Sequence, residues 1–301
     1  MPDISISVVV TAPLGIAACG CLDGLLPGAD GQALEIVVVD GGSSYADQSR
    51  AGLRHVASPG RSLQGLIMEG LRRSTGEWVV VTEDHCRPLA GFIENYRHAI
   101  VENPGIDLFS GAVDNLTTTS PWSFAAFMVG LRPFWPKALQ PPSGVSNANL
   151  MVRRSAILAS ELALEGGLLN LTAARLIQSG RYKHCPAAVV DHLMDLSWSE
   201  AVKFQFNCTA GVVAVKRETL PARSVPAQIV HDCRDLVYHA AVVPFRVVRQ
   251  FRGTTQSSPG AAWRLMVLGL AAGFATIAVD FRRLMRGATR PARLKTASDA
   301  K

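Results

Sequence analysis

Gly76-Glu-Trp-Val-Val-Val-Thr-Glu-Asp-His-Cys-Arg-Pro88 is the stretch on which the fold turns. Residues 78–81 form a short apolar, β-branched run opened by a turn glycine, the pattern of a strand buried on both faces. At its end Glu83, Asp84 and His85 arrive together. In open α/β sheets ligands sit just beyond the carboxyl ends of the strands. A carboxylate and an imidazole there can hold a divalent cation and, through it, a phosphate-bearing substrate. Taken alone, the same cluster reads equally well as a solvated turn after a core strand. The strands upstream tip the balance.

Working outward, residues 4–11 are apolar almost throughout, and Glu35-Ile-Val-Val-Val-Asp40 is a second continuous apolar strand, closed by Gly41-Gly42-Ser43-Ser44. Helical spacing fills 14–26 between them, 47–53 reads as a polar helix, and 55–60 as a short strand and turn. Leu63, Leu66, Ile67 and Leu71 mark one face of a helix. Strands alternating with helices at this spacing predict βαβ units and a parallel sheet. Downstream, a helix is expected over 89–101, strands over 107–113 and 147–153, helices over 155–164 and 168–179, and an extended run over 182–190 ending at Asp191-His192. The segment 121–139 carries Trp122, Phe124, Phe127, Phe134 and Trp135, aromatics whose spacing is that of a core.

The chain has 301 residues, enough for a sizeable core in one large domain, or one domain with an appendage. It is 48% hydrophobic and only 18% charged, with mean hydropathy +0.19, so some apolar surface is expected to meet a membrane or a partner. The net charge of +6 is concentrated late, from Arg246 to Lys295. A basic tail beside an apolar run points to an anionic membrane surface, not to nucleic acid. Residues 265–279 carry no charge, but at about 1.5 Å per residue they fall short of a ~30 Å hydrocarbon core. A helix lying in the interface and a full span both stay open. The six cysteines include no Cys-x-x-Cys pair and read as buried or free thiols of a reducing compartment. Residues 1–12 lack a basic start and read as a strand, not a signal peptide. No Gly-x-Gly-x-x-Gly follows the first strand, which weakens a dinucleotide-dependent oxidoreductase.

Residues 6–10, Glu35–Ser44 (E-I-V-V-V-D-G-G-S-S), Gly70 and Gly76–Pro88 together resemble the nucleotide-sugar half of family-2 glycosyltransferases with the GT-A fold. Residues 147–154 and 180–192 resemble the acceptor half, so the likeness covers roughly 4–195. It implies an α/β fold with a GT-A-like, mostly parallel central sheet flanked by helices over residues 1–200. Residues 201–301 follow as a helical, apolar and basic membrane-associated region. It also implies sugar transfer from a nucleotide-diphosphate donor to a lipid-linked or polysaccharide hydroxyl, with inversion and a divalent cation, Mn²⁺ or Mg²⁺, at the cytoplasmic side of a membrane.

Carried onto this sequence, the resemblance places Glu83, His85 and His192 on the cation and Thr11, Asp40, Gly41, Gly42, Arg61 and Asp84 at the nucleotide sugar. Asp40 has a plainer reading as an Asx cap for the following loop. There are departures. The usual Asp-x-Asp of the metal motif is Glu83-Asp84-His85, the usual Arg-Asn before the fourth strand is Ile67-Met68, and the Glu-Asp pair that supplies the base is Leu168-Leu169. Glu165 is the nearest carboxylate and the expected substitute base, with Arg61 the substitute phosphate-facing cation. The same departures suit a second expectation, a catalytically degenerate GT-A-fold protein that binds a nucleotide or a partner without transfer.

Overall fold

Ile6–Ala12 (β1) is buried along its whole length, as a continuous apolar run requires when both faces of a sheet are covered. The computed structural model describes residues 4–13, 20–25, 34–42, 52–115, 120–138, 140–158, 168–219, 224–250 and 259–287. The chain divides into two compact units, residues 1–127 with 131–196, and residues 128–130 with 197–301.

In the first unit β1 is followed by α1 (Gly20–Leu25), β2 (Leu34–Asp40), β3 (Leu53–Ala57), α2 (Leu63–Arg73), β4 (Trp78–Glu83), β5 (Cys86–Pro88), α3 (Phe92–Glu102), β6 (Leu108–Asp114) and α4 (Pro121–Gly130). Then come β7 (Asn149–Arg153), α5 (Arg154–Leu158), α6 (Leu168–Gln178) and β8 (Tyr182–His192). The strands form one mixed sheet in the order β3-β2-β1-β4-β7-β6-β8-β5. Pairing is parallel from β3 through β4 and again between β6 and β8, while β7 and β5 run antiparallel to their neighbours. Of the polar helix expected over 47–53, residues 47–51 lie outside the described residues and Leu53 opens β3. The strand expected over 78–81 runs on to Glu83, and the chain then turns at Asp84-His85 and re-pairs at Cys86 as a further short strand.

The sheet's core packs Val9, Val37, Val39, Val79 and Val81 against Leu66, Ile67 and Leu71 of α2. Gly70 lets that helix sit close: a Cβ there would overlap Val9 Cγ1. Ser62 caps α2 by accepting from the Gly65 amide at 3.2 Å. The strand order reverses on either side of β1, so the carboxyl ends of β1, β2 and β4 meet at a switch point, where α/β sheets bind ligands. Thr11 lies opposite Glu83, and Ala12 opposite Asp40.

The second unit is helical: α7 (Trp198–Thr219), α8 (Val225–Val237), one wider π turn at Tyr238–Val242, α9 (Val243–Gln250) and α10 (Pro259–Gly287). One side of α10 packs on α7, α8, α9 and the π turn, burying Leu265, Leu268, Ala272, Ala275, Thr276 and Asp280. Gln228 bridges within this packing, donating to Asp232 Oδ1 at 2.7 Å and Asp280 Oδ2 at 2.9 Å. Gly269 is needed there, since a Cβ would overlap the His239 carbonyl.

Candidate metal centre and the rim around it

Strand β4 delivers Glu83 to the rim, and the Asp84 amide then donates to the Thr11 carbonyl at 3.0 Å, which fixes the turn that follows. His85 occupies the turn, and Cys86 begins β5. Because β5 pairs antiparallel with the end of β8, Cys86 stands directly opposite His192, and the Leu193 amide donates to the His85 carbonyl at 2.7 Å. That pairing joins two histidines 107 positions apart. Their Nε2 atoms are 3.1 Å from each other, with the rings edge to face and centroids 4.6 Å apart. Glu83 Oε2 is 3.1 Å from His85 Nε2, and Asp84 Oδ1 is 3.0 Å from His85 Nδ1. Donor atoms of Glu83, His85, Cys86 and His192 all lie within 4.8 Å of one another. Cys86 and His192 are buried, whereas the His85 side chain keeps 30% of its surface exposed, so the cluster opens to solvent on one side.

Electrostatics follow from this crowding. Burial opposes a charge on His85, yet hydrogen bonds to Asp84 and Glu83 and the charge of both carboxylates outweigh it, pushing its pKa up to about 10. Burial and then the neighbouring His85 cation pull His192 down to about 3, against the attraction of Glu83. Burial would raise Glu83, but hydrogen bonding to His85 and the positive charge beside it hold its carboxyl below the ordinary value. Glu83 Oε2 and the two Nε2 atoms thus converge at the place a divalent cation would take. The donor chemistry, one carboxylate, two imidazoles and a thiol, fits such an ion.

The other expected residues are placed as follows. Asp40 is buried; its Oδ1 accepts from the Gly42 amide at 2.6 Å, the Asx cap, and its Oδ2 lies 3.6 Å from His55 Nε2 on β3. His55 was not singled out from the sequence, and only its position in the short third strand could have flagged it. Gly41 donates its amide to the Ala12 carbonyl at 3.0 Å. Thr11 is fully buried and its hydroxyl donates to the Thr82 carbonyl at 3.2 Å, so its side chain ties β1 to β4 beneath the rim, not at it. Arg61 is exposed one residue before the Ser62 cap. Glu165 lies outside the described residues. Asp84 sits beside the histidine it orients. Cys86 was read only as a thiol without a Cys-x-x-Cys partner; its place next to His85 was the one available signal. Of the five aromatics expected in the core, Phe127 and Phe134 are buried, while Trp122, Phe124 and Trp135 are half-buried.

No protein-family model matches the sequence, and no curated protein is similar to it. Solved structures are similar in fold. The mannosyltransferase PcManGT from Pyrobaculum calidifontis, in complex with GDP-Man and Mn²⁺, superposes with a TM-score of 0.55 at 15% identity, covering 91% of this chain and 87% of that one. The fold is GT-A. Glucosyl-3-phosphoglycerate synthase from Mycobacterium tuberculosis, in complex with Mn²⁺, UDP-glucose and phosphoglyceric acid, matches this GT-A chain with a TM-score of 0.50 at 18% identity, over 73% of this chain and 81% of that one. In this GT-A chain Glu83-Asp84-His85 ends the fourth strand, at the switch point of the sheet.

Proposed function

We propose that the chain is a cation-dependent glycosyltransferase that takes a nucleoside-diphosphate sugar at the carboxyl ends of β1, β2 and β4. The observation that carries it is the convergence of Glu83, His85 and His192 at the switch point of a GT-A sheet. Both similar structures quoted above hold Mn²⁺ with a GDP- or UDP-linked sugar. Glu83, His85 and His192 would hold the ion here, and Asp84 keeps the His85 ring turned so that Nε2 faces it. A bound divalent cation supplies positive charge against the negative charge that develops on the departing diphosphate. Asp40 and the Gly41-Gly42 backbone would border the nucleoside, with Arg61 the cation that would face the phosphates. Glu165 would take the proton of the acceptor hydroxyl, which requires hydrogen-bond reach and a pKa near neutrality. Attack from the face opposite the diphosphate inverts the anomeric centre.

The acceptor is a lipid-linked or saccharide hydroxyl presented at the cytoplasmic face of a membrane, where α10 would lie flat. Trp263, Met266, Phe274 and Phe281 are exposed, and at 100° per residue they form one stripe about 27 Å long. Arg246, Arg249, Arg282 and Arg283 stand exposed in the same helical unit, a charge complement to anionic lipid. The opposite face of α10 is occupied by its neighbouring helices, which favours lying over crossing.

A thermal-shift panel of nucleoside diphosphates, each with and without Mn²⁺ or Mg²⁺, tests the donor site. Ligand at about 100 times its dissociation constant adds roughly 2.7 kcal/mol; a cation-dependent rise with one nucleotide is expected. No shift with any of them overturns the proposal. Leu168-Leu169, where the resemblance expects the base, favours a second reading in which the chain binds but does not transfer. Sugar-nucleotide turnover that Glu165→Gln abolishes would dispose of it.

A further inference from the structure

Three of the four donors at the rim are not oxygen. Mg²⁺ is bound through carboxylates and water in near-octahedral oxygen shells, whereas thiolate and imidazole select borderline metals of the Zn²⁺ type. We propose that Cys86 is a fourth ligand of the centre and that it makes the site selective for borderline transition metals, Zn²⁺ and Co²⁺, over Mg²⁺. This rests on the cation site of the proposed function and adds to it the class of metal and a residue.

Strand pairing is the main argument. Cys86 and His192 are directly opposed across the β5–β8 pair, and opposed residues in an antiparallel ladder project to the same face with their Cβ atoms close together. The sulfur and the imidazole are thus set side by side by backbone geometry. All four donor atoms fall within 4.8 Å of one another. His85 is oriented as metal-ligating histidines are, with Nδ1 on the Asp84 carboxylate at 3.0 Å and Nε2 turned into the cluster. Charge balances as well. The Glu83 carboxylate and a Cys86 thiolate together offset the two positive charges of the ion, as a largely buried cation requires. The thiol proton passes to buffer as the metal–sulfur bond forms. A plain core cysteine fills space without meeting a carboxylate and two imidazoles.

The test uses the full chain and metal alone. Titration with Co²⁺ should raise a near-ultraviolet thiolate-to-metal charge-transfer band, and calorimetry should show Zn²⁺ binding much more tightly than Mg²⁺. Cys86→Ser should abolish the band and weaken Zn²⁺ by at least about 10- to 100-fold, the scale that losing even an outer-shell partner costs. Cys86→Ala is the second variant should serine fold poorly. The exposed Cys208 and Cys233 are changed to serine in a control, which must keep the band. Co²⁺ binding without the band, or Zn²⁺ affinity unchanged in both Cys86 variants, overturns the assignment of Cys86 while leaving the cation site standing. Failure of every divalent metal to bind overturns the centre itself.

Discussion

Asn149 is fully buried at the start of β7 and makes three hydrogen bonds. Its Oδ1 accepts from the Tyr96 hydroxyl at 2.6 Å, and its Nδ2 donates to the carbonyls of Ala112 at 2.7 Å and Ala188 at 2.9 Å. One amide therefore ties β7, β6, β8 and α3, and it stands opposite Thr82, one residue before Glu83. It braces the strands that present the two halves of the metal centre. Asn149→Leu keeps the volume but strands the Tyr96 hydroxyl and two carbonyls. At about 1–3 kcal/mol per buried unsatisfied group, the loss of three partners should cost at least about 3 kcal/mol. That is a large part of the 5–15 kcal/mol typical of a whole domain. Tyr96→Phe strands Asn149 Oδ1 and removes the bond to the Gly111 backbone, and should cost about 1–3 kcal/mol. In the double variant the two should not add, because both remove the same bond. Urea unfolding followed by fluorescence reads the free energies. An Asn149→Leu penalty below about 1 kcal/mol, the range of surface changes, or strict additivity with Tyr96→Phe, would refute the brace.

Other outcomes follow from equally local features. Glu35 accepts from the Ser7 hydroxyl and the Thr75 amide and hydroxyl; burial would raise its pKa, but these bonds and the Arg54 charge hold it below 4.5. The stability it contributes is therefore present above about pH 4.5 and lost as pH falls through the lower folded value. Glu35→Gln should flatten the acid limb of a stability–pH curve, and an unchanged limb would discount the network. Gly70→Ala should cost about 1–3 kcal/mol by overpacking, because its Cβ would overlap Val9 Cγ1, whereas Gly105→Ala meets nothing within 4 Å and should be neutral. Equal unfolding midpoints for the two would contradict the close approach of α2 to the sheet. Phe274→Ser combined with Phe281→Ser should abolish sedimentation with phosphatidylserine vesicles while leaving unfolding intact. Undiminished sedimentation would move the membrane contact away from α10.

The parallel half of the sheet was legible because its strands are buried on both faces. Continuous valine and isoleucine runs at 4–11, 35–40 and 78–81 leave no other structure for those residues, and the described strands β1, β2 and β4 fall on them. The antiparallel half was less so. Cys86–Pro88 is only three residues long and carries a proline, a pattern that reads as a loop unless its partner is known. The order of strands β7, β6, β8 and β5 depends on pairings between residues 40 to 106 positions apart, which no local pattern encodes. Asn149 shows the same gap: no local pattern says that its amide lies buried between three strands with both N–H donors spent on their carbonyls.

The centre was half legible for the same reason. Glu83 and His85 are two positions apart at a strand end, so one turn delivers both to the rim and periodicity alone pairs them. His192 was marked only by resemblance, since a histidine at the end of a strand has no direction until its neighbour is chosen. The β5–β8 pair makes that choice, and by setting Cys86 opposite His192 it brings in a donor that composition had put in the core. What tells a ligand cysteine from a packing one is thus a strand register, a long-range property. A one-residue slip of β5 against β8 would turn Cys86 to the opposite face and leave Glu83, His85 and His192 without the thiol.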